Sequence, residues 1–307
     1  MRKDKTRGVP SADGLSDITA IFKEHPKCQR PRTVLIEGDP GIGKSTFCQK
    51  IAYDWATKQE EWDPSFPEIE VLLLLRCHEM KYDIWEAISN QILSSYVDDR
   101  TKECFFKFIR ENQTKVLLVL DGLDEANPRN LEMILNLLKS KDLPGFYLVL
   151  FSRHDAGGEF RMYCDSLFEI KGFAKEDAIG YIRKYFENIN KEHLAEKLIE
   201  TIWPSNLESK STDLCALTNS PLNTTLLCVL CEDYEGVFPK SRTQLYIDIV
   251  RCSAAITRYQ SSPKHQHMQH ITQHNLHHNT LRQSIDRSEE WQFCLTKHKL
   301  YIVTILE

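Results

Sequence analysis

A parallel α/β sheet covered by helices on both faces, followed by a small all-helical unit, is the fold this sequence predicts. Three observations carry it. Short apolar runs alternate with helical stretches from residue 33 onward, the rhythm of strands joined by crossover helices. The runs are apolar nearly throughout, as burial on both faces of a sheet requires. After Phe173 the strand signal stops and a helical period takes over.

In chain order, TVLIEG (33–38) predicts the first strand, followed by a helix to about Trp55. EVLLLLR (70–76) predicts the second, followed by a helix around Trp85 to Tyr96. KVLLVLDG (115–122) is the third, followed by a helix over Leu131 to Leu138; FYLVLFS (146–152) and FEIKGF (168–173) complete the set. In the second unit Ala178, Ile182, Phe186 and Ile189 form one apolar stripe, and Leu194, Leu198 and Ile202 another. The predicted organisation is an N-terminal segment (1–30), a sheet domain (31–173), a helical domain (174–259) and a His-rich, disordered or non-native tail (260–307).

The chain has 307 residues, 41% hydrophobic and 27% charged, a composition for a globular protein of about two domains. A net charge of -5 recommends neither nucleic acid nor an anionic membrane as partner. Ten cysteines lack disulfide-like or zinc-like spacing, which points to a reducing compartment. Cys228 and Cys231 form a CxxC, but inside the apolar run NTTLLCVLC, where core packing is the reading. The longest apolar run, VLLLL before Arg76, is far short of a membrane span, and the polar start MRKDKTRGVPSADG has no secretory character. A cytoplasmic location is expected.

The segment GDPGIGKST comprises Gly38, Asp39, Pro40, Gly41, Ile42, Gly43, Lys44, Ser45 and Thr46 and fits the P-loop template GxxxxGK[ST] between a strand and a helix. Glycines let the backbone turn so that successive N–H groups face phosphate oxygens, and the helix N-terminus adds partial positive charge. Lys44 is expected to reach the β and γ phosphates, and Ser45 to ligate Mg²⁺ through its hard hydroxyl oxygen. Asp121 ends the strand KVLLVLD about 80 residues later, at the sheet edge where ligands bind, and is the second candidate Mg²⁺ ligand. Asp124 and Glu125 follow within a turn; either could orient an attacking water, with Glu125 favoured as base and Asp124 as support to the metal shell.

Guanine-reading P-loop proteins usually carry NKxD; here Asn190-Lys191-Glu192-His193 lacks the Asp, so adenine, as ATP or ADP, is the expected base. Neither is there an LSGGQ-like element.

GDPGIGKST, the DGLDE box (121–125) and FSR ending the following strand together resemble the NACHT family of STAND nucleotide switches, which includes the NOD-like receptors. SPL (Ser220 to Leu222) and KSRTQLY (Lys240 to Tyr246) match in order, and the resemblance covers roughly 30 to 258. It implies that Arg153 senses the γ-phosphate, a task suited to guanidinium, and that Pro221 packs on the adenine. It also implies domain closure over the nucleotide and self-association, as a homo-oligomer or with another NACHT chain, in innate-immune-type signalling. The sequence departs from the family in lacking an effector domain ahead of the P-loop, leucine-rich repeats after it, and recognisable winged-helix character past about Tyr259. His298 is the sole carboxyl-terminal candidate for the winged-helix histidine and is not assigned that role.

His265, His267, His270, His274, His277 and His278 fall within fourteen residues; low-complexity drift is preferred to a metal site, which needs fixed geometry and supporting partners. Three functional readings follow. The first is a switch with slow Mg²⁺-dependent ATP hydrolysis; the second is a truncated interaction module that binds nucleotide without turnover. The third, a small-molecule kinase, needs an acceptor pocket and lid that the sequence does not display.

Overall fold

The computed structural model describes residues 21–57, 66–93, 97–140, 145–204, 212–237, 244, 246–251, 295–296 and 299–300. Of these, the residues up to Lys171, together with 295–296 and 299–300, fall in one compact unit, and those from Gly172 to Arg251 in a second.

The first unit is built on five parallel strands: β1 (Thr33–Glu37), β2 (Val71–Arg76), β3 (Val116–Asp121), β4 (Tyr147–Ser152) and β5 (Ser166–Glu169). Their order is β2-β3-β4-β1-β5. Alternate side chains along each strand enter opposite cores, which is why the strands read as continuous apolar text rather than alternating patterns. Val34, Ile36, Leu117, Val119, Val149 and Phe151 face one side, packing with Cys48, Ile51 and Trp55 of α1 (Lys44–Thr57). Leu35, Leu73, Leu75, Leu118, Leu120 and Leu150 face the other. There they meet α2 (Ile84–Gln91), α3 (Asp99–Glu111) and α4 (Pro128–Ser140) through Ile88, Ile109 and Ile134. Trp55 is fully buried, and its indole N–H donates to the Ile69 carbonyl at 3.2 Å, so its one polar group is satisfied.

Side-chain caps start the outer helices. Asp83 accepts from the Glu86 N–H at 2.9 Å, Asp98 from that of Thr101 at 3.0 Å, and Asn127 from that of Asn130 at 2.9 Å, each satisfying an amide that a helix start leaves without a partner.

Three expectations need adjustment. The helix expected around Trp85 to Tyr96 ends at Gln91. A whole helix, α3, was not anticipated: its apolar stripe is narrow and its text, DRTKECFFKFIRE, is half charged. The last strand of this sheet is Ser166–Glu169 rather than FEIKGF; among the described residues it pairs only with β1, whose final residue Glu37 stands opposite Glu169, so the ladder ends where its template ends.

The second unit contains α6 (Lys175–Asn188), α7 (Glu192–Ile202), α8 (Thr212–Leu217) and α9 (Pro221–Asp233); a four-residue α5 (His154–Gly157) precedes it in the first. Ile182, Phe186, Leu194, Leu198 and Ile202 form its core with Leu226, Leu227 and Leu230. Both predicted apolar stripes contribute to this core, with Ile189 at its margin; Ala178 is buried but is not part of it. Cys228 and Cys231 are fully buried within it, and burial pushes their thiols up to about 12 and about 11, as befits packing residues. The histidines at 265 to 278 and His298 lie outside the described residues; of 260–307 only the antiparallel pairing of Leu295–Thr296 with Lys299–Leu300 is described.

Candidate functional site

Strand register sets the site. Glu37 pairs with Ser152 on one side and Glu169 on the other, and Arg76 pairs with Asp121, so the strands end level along the carboxyl edge. Because β4 lies between β1 and β3, the ends of these three strands supply one surface. Ligands bind at this edge in open α/β sheets.

From Glu37 the chain enters the glycine-rich loop. The Gly38 N–H extends the ladder to Ser152 O at 3.2 Å, and the Ile42 N–H closes a turn on Asp39 O at 3.3 Å. A side chain at Gly38 would meet Ile42 Cγ2 at 2.9 Å and the Ile170 carbonyl at 3.2 Å. Gly43 has φ +99°, a conformation L side chains rarely adopt. Helix α1 then opens at Lys44, the Phe47 N–H bonding to Gly43 O at 2.9 Å. Asp39, Pro40, Ser45 and Thr46 are exposed, and Gly41 and Ile42 partly so. The loop therefore presents an open backbone cradle with a hydroxyl beside it, which fits phosphate and a hard cation.

Lys44 folds back over the loop, its Nζ donating to Gly38 O at 2.8 Å and Asp39 O at 3.0 Å. Desolvation lowers its pKa from the ordinary value; the charges of Asp124, Asp121 and Asp39 oppose that shift, and Arg153 adds to it. These groups, read from segments far apart in sequence, thus share one electrostatic neighbourhood.

Asp121 closes β3, and Gly122 at φ +75° turns the chain into a single 3₁₀ turn, Leu123–Glu125. The turn buries Asp124, whose side chain is 7% exposed, beneath Arg153. Arg153 Nε lies 2.7 Å from Asp124 Oδ2, and the Arg153 N–H donates to Oδ1 at 3.2 Å. Glu125 stays half exposed, with Oε2 3.4 Å from His78 Nδ1. Beneath the edge the thiols of Cys48 and Cys77 are raised, by burial first and by the Asp121 charge second. Ser45 and Asp121 offer hard oxygens suited to Mg²⁺, which usually retains several waters and binds few protein ligands. Among the described residues, no group of three His, Cys, Asp or Glu side chains is placed to hold a metal.

Pro221 occupies the first turn of α9 in the second unit, where the Ser220 hydroxyl accepts from the Asn223 N–H at 3.4 Å. The Asn190-Lys191-Glu192-His193 segment runs from the α6–α7 turn, with Asn190 at φ 56°, into the first residues of α7. Four residues at the edge went unread in the sequence: Glu37, His154 and Arg161, which form a cluster of their own, and His78. Glu37 alone left a signal, as the acidic residue in the apolar strand TVLIE.

A parallel sheet whose first strand passes through a glycine-rich loop into a Lys-Ser helix start, with a strand-end aspartate across the edge, defines a P-loop nucleotide-binding protein. The NACHT domain family model matches residues 32–189. The chain belongs to the NACHT domain family.

Among curated relatives it is 27% identical over 191 residues to NACHT, LRR and PYD domains-containing protein 6 of Mus musculus, covering 56% of this chain and 21% of that protein. It is 26% identical over 254 residues to Protein NLRC5 of Ictalurus punctatus, covering 74% and 14%. The chain thus spans about a fifth or less of the length of these relatives. The RuvB Holliday junction branch migration motor of Thermotoga maritima is similar at 12% identity, covering 66% of this chain and 61% of that one, with a TM-score of 0.36.

Proposed function

We propose that the chain is an adenine-nucleotide switch, in which ATP binding with Mg²⁺ and slow hydrolysis control domain closure and self-association in cytoplasmic, innate-immune-type signalling. The observation that carries the reading is the convergence of Lys44, Asp121, Asp124 and Arg153 on one strand edge: Lys44 folded over the loop after β1, Asp121 closing β3, and Asp124 held by Arg153 from the end of β4 between them.

In this reading the loop from Gly38 to Thr46 wraps the phosphates with backbone N–H groups, and Lys44 exchanges its two carbonyl partners for phosphate oxygens. Ser45 and Asp121 would hold Mg²⁺, which when bound would neutralise phosphate charge. Glu125, half exposed, accepts the proton of the attacking water. Asp124 supports the site through Arg153; a γ-phosphate competes with its carboxylate for the guanidinium, so ATP and ADP leave Arg153 with different partners. Pro221 is assigned to the adenine by the family resemblance.

Calorimetry with ATP, ADP and GTP, together with a turnover assay, tests this. The switch requires adenine-selective binding and Mg²⁺-dependent ATP hydrolysis that Glu125→Gln abolishes while binding persists. Tight binding without turnover in the unsubstituted chain would instead identify a nucleotide-binding interaction module.

A further inference from the structure

Beside the nucleotide edge lies a charged cluster that the reading above leaves unused. Glu37, the last residue of β1, has a side chain only 9% exposed. Arg161 grips it with two nitrogens of one guanidinium edge: Nε reaches Oε1 at 3.1 Å and Oε2 at 2.9 Å, and an Nη lies 2.9 Å from Oε2. The same guanidinium donates to the His154 carbonyl at 3.4 Å. The His154 ring lies 3.7 Å from Glu37 and 3.6 Å from Glu169, so the cluster spans β1, α5 and β5. A Cβ at Gly157 would overlap the Glu37 carboxylate, so α5 is seated directly against it.

The residue before His154 is Arg153, which occupies the N-cap position of α5 without a side-chain cap and contacts Asp124. A buried carboxylate held in a bidentate grip has a fixed position, because its alternatives leave a charge without a partner. Whatever fixes the start of α5 against β1 also fixes the backbone from which Arg153 reaches. We infer that the Glu37–Arg161 pair is a positioning brace that ties the strand leading into the phosphate loop to the start of α5, and thereby sets Arg153 for discriminating nucleoside triphosphate from diphosphate. This rests on the reading of Arg153 as the γ-phosphate contact.

The test uses the full 307-residue chain, with the ratio of ATP to ADP affinity measured by calorimetry and folding checked by circular dichroism and thermal melting. One charge-assisted contact to the γ-phosphate corresponds to roughly a tenfold ratio. Arg161→Gln is expected to lose that preference to the same extent as Arg153→Ala, leave ADP affinity unchanged, and add nothing in the double variant. Gly157→Ala, which presses on the Glu37 carboxylate without removing a charge, is expected to shift the ratio in the same direction and serves if Arg161→Gln does not fold. A folded Arg161→Gln or Gly157→Ala that melts lower but keeps the wild-type ratio, while Arg153→Ala loses it, overturns the brace alone. An unchanged ratio in Arg153→Ala overturns the γ-phosphate reading and the brace's purpose with it.

Discussion

Lys44→Met offers the sharpest separation of a binding role from a structural one. Without nucleotide, Lys44 donates to Gly38 O at 2.8 Å and Asp39 O at 3.0 Å, contacts that could hold the loop together. Yet its pKa is lowered chiefly by desolvation, so the ligand-free fold holds the ammonium at a cost. Below the lowered folded value that cost is present in full. Between it and the ordinary 10.5 the unfolded chain binds more protons than the folded one, so this residue makes stability rise with pH there. Lys44→Met removes the cost along with the two bonds and is expected to leave ligand-free stability within about 1 kcal/mol, with a flatter alkaline profile. Contacts from an ammonium to phosphate are worth about 1.5–3 kcal/mol, or roughly 10- to 150-fold in affinity; surrendering two carbonyls to make them favours the lower end. Urea denaturation and calorimetric ATP titration measure the two effects separately. A stability loss above about 2 kcal/mol with ATP affinity unchanged would refute the argument and make Lys44 a strut of the loop.

Other substitutions probe the scaffold. Trp55→Ala removes a fully buried ring and its bond to Ile69 and is expected to cost about 3–5 kcal/mol, seen as a lower denaturation midpoint. Gly43→Ala meets no atom within 4 Å, so its cost comes from φ +99° alone: about 1–2 kcal/mol by denaturation, together with weaker nucleotide binding. In native protein, iodoacetamide should label exposed Cys104 well before Cys228 and Cys231, whose buried thiols are raised; mass spectrometry of timed samples reads the order, and early labelling of the pair would mean that the helical core opens readily.

The strands were legible because a sheet buried on both faces leaves unbroken apolar text, and the phosphate loop because its glycines and Lys-Ser pair have fixed spacing. The rest depended on tertiary placement. Nothing local says that β4 inserts between β1 and β3, which is what carries Arg153 to Asp124. Helix α3 was missed although Asp98 and Thr101 form its cap, since Phe105 and Ile109 are its only buried residues amid charged neighbours. Arg161 gave no signal at all, because its partner lies 124 positions earlier.

The strand order also bears on synthesis. Among the described residues, strand β1 has neighbours only in β4 and β5, and about 110 residues separate Glu37 from Tyr147. A nascent chain growing at about 5–20 residues per second therefore carries Thr33–Glu37 without its native partners for roughly 5–20 seconds, while β2 and β3, adjacent in both sequence and sheet, can already pair. Pairing across so long an interval is slow. The nucleotide pocket is thus among the last parts of this unit to form as the ribosome moves, and a chain released before Ser152 lacks the strand that completes it.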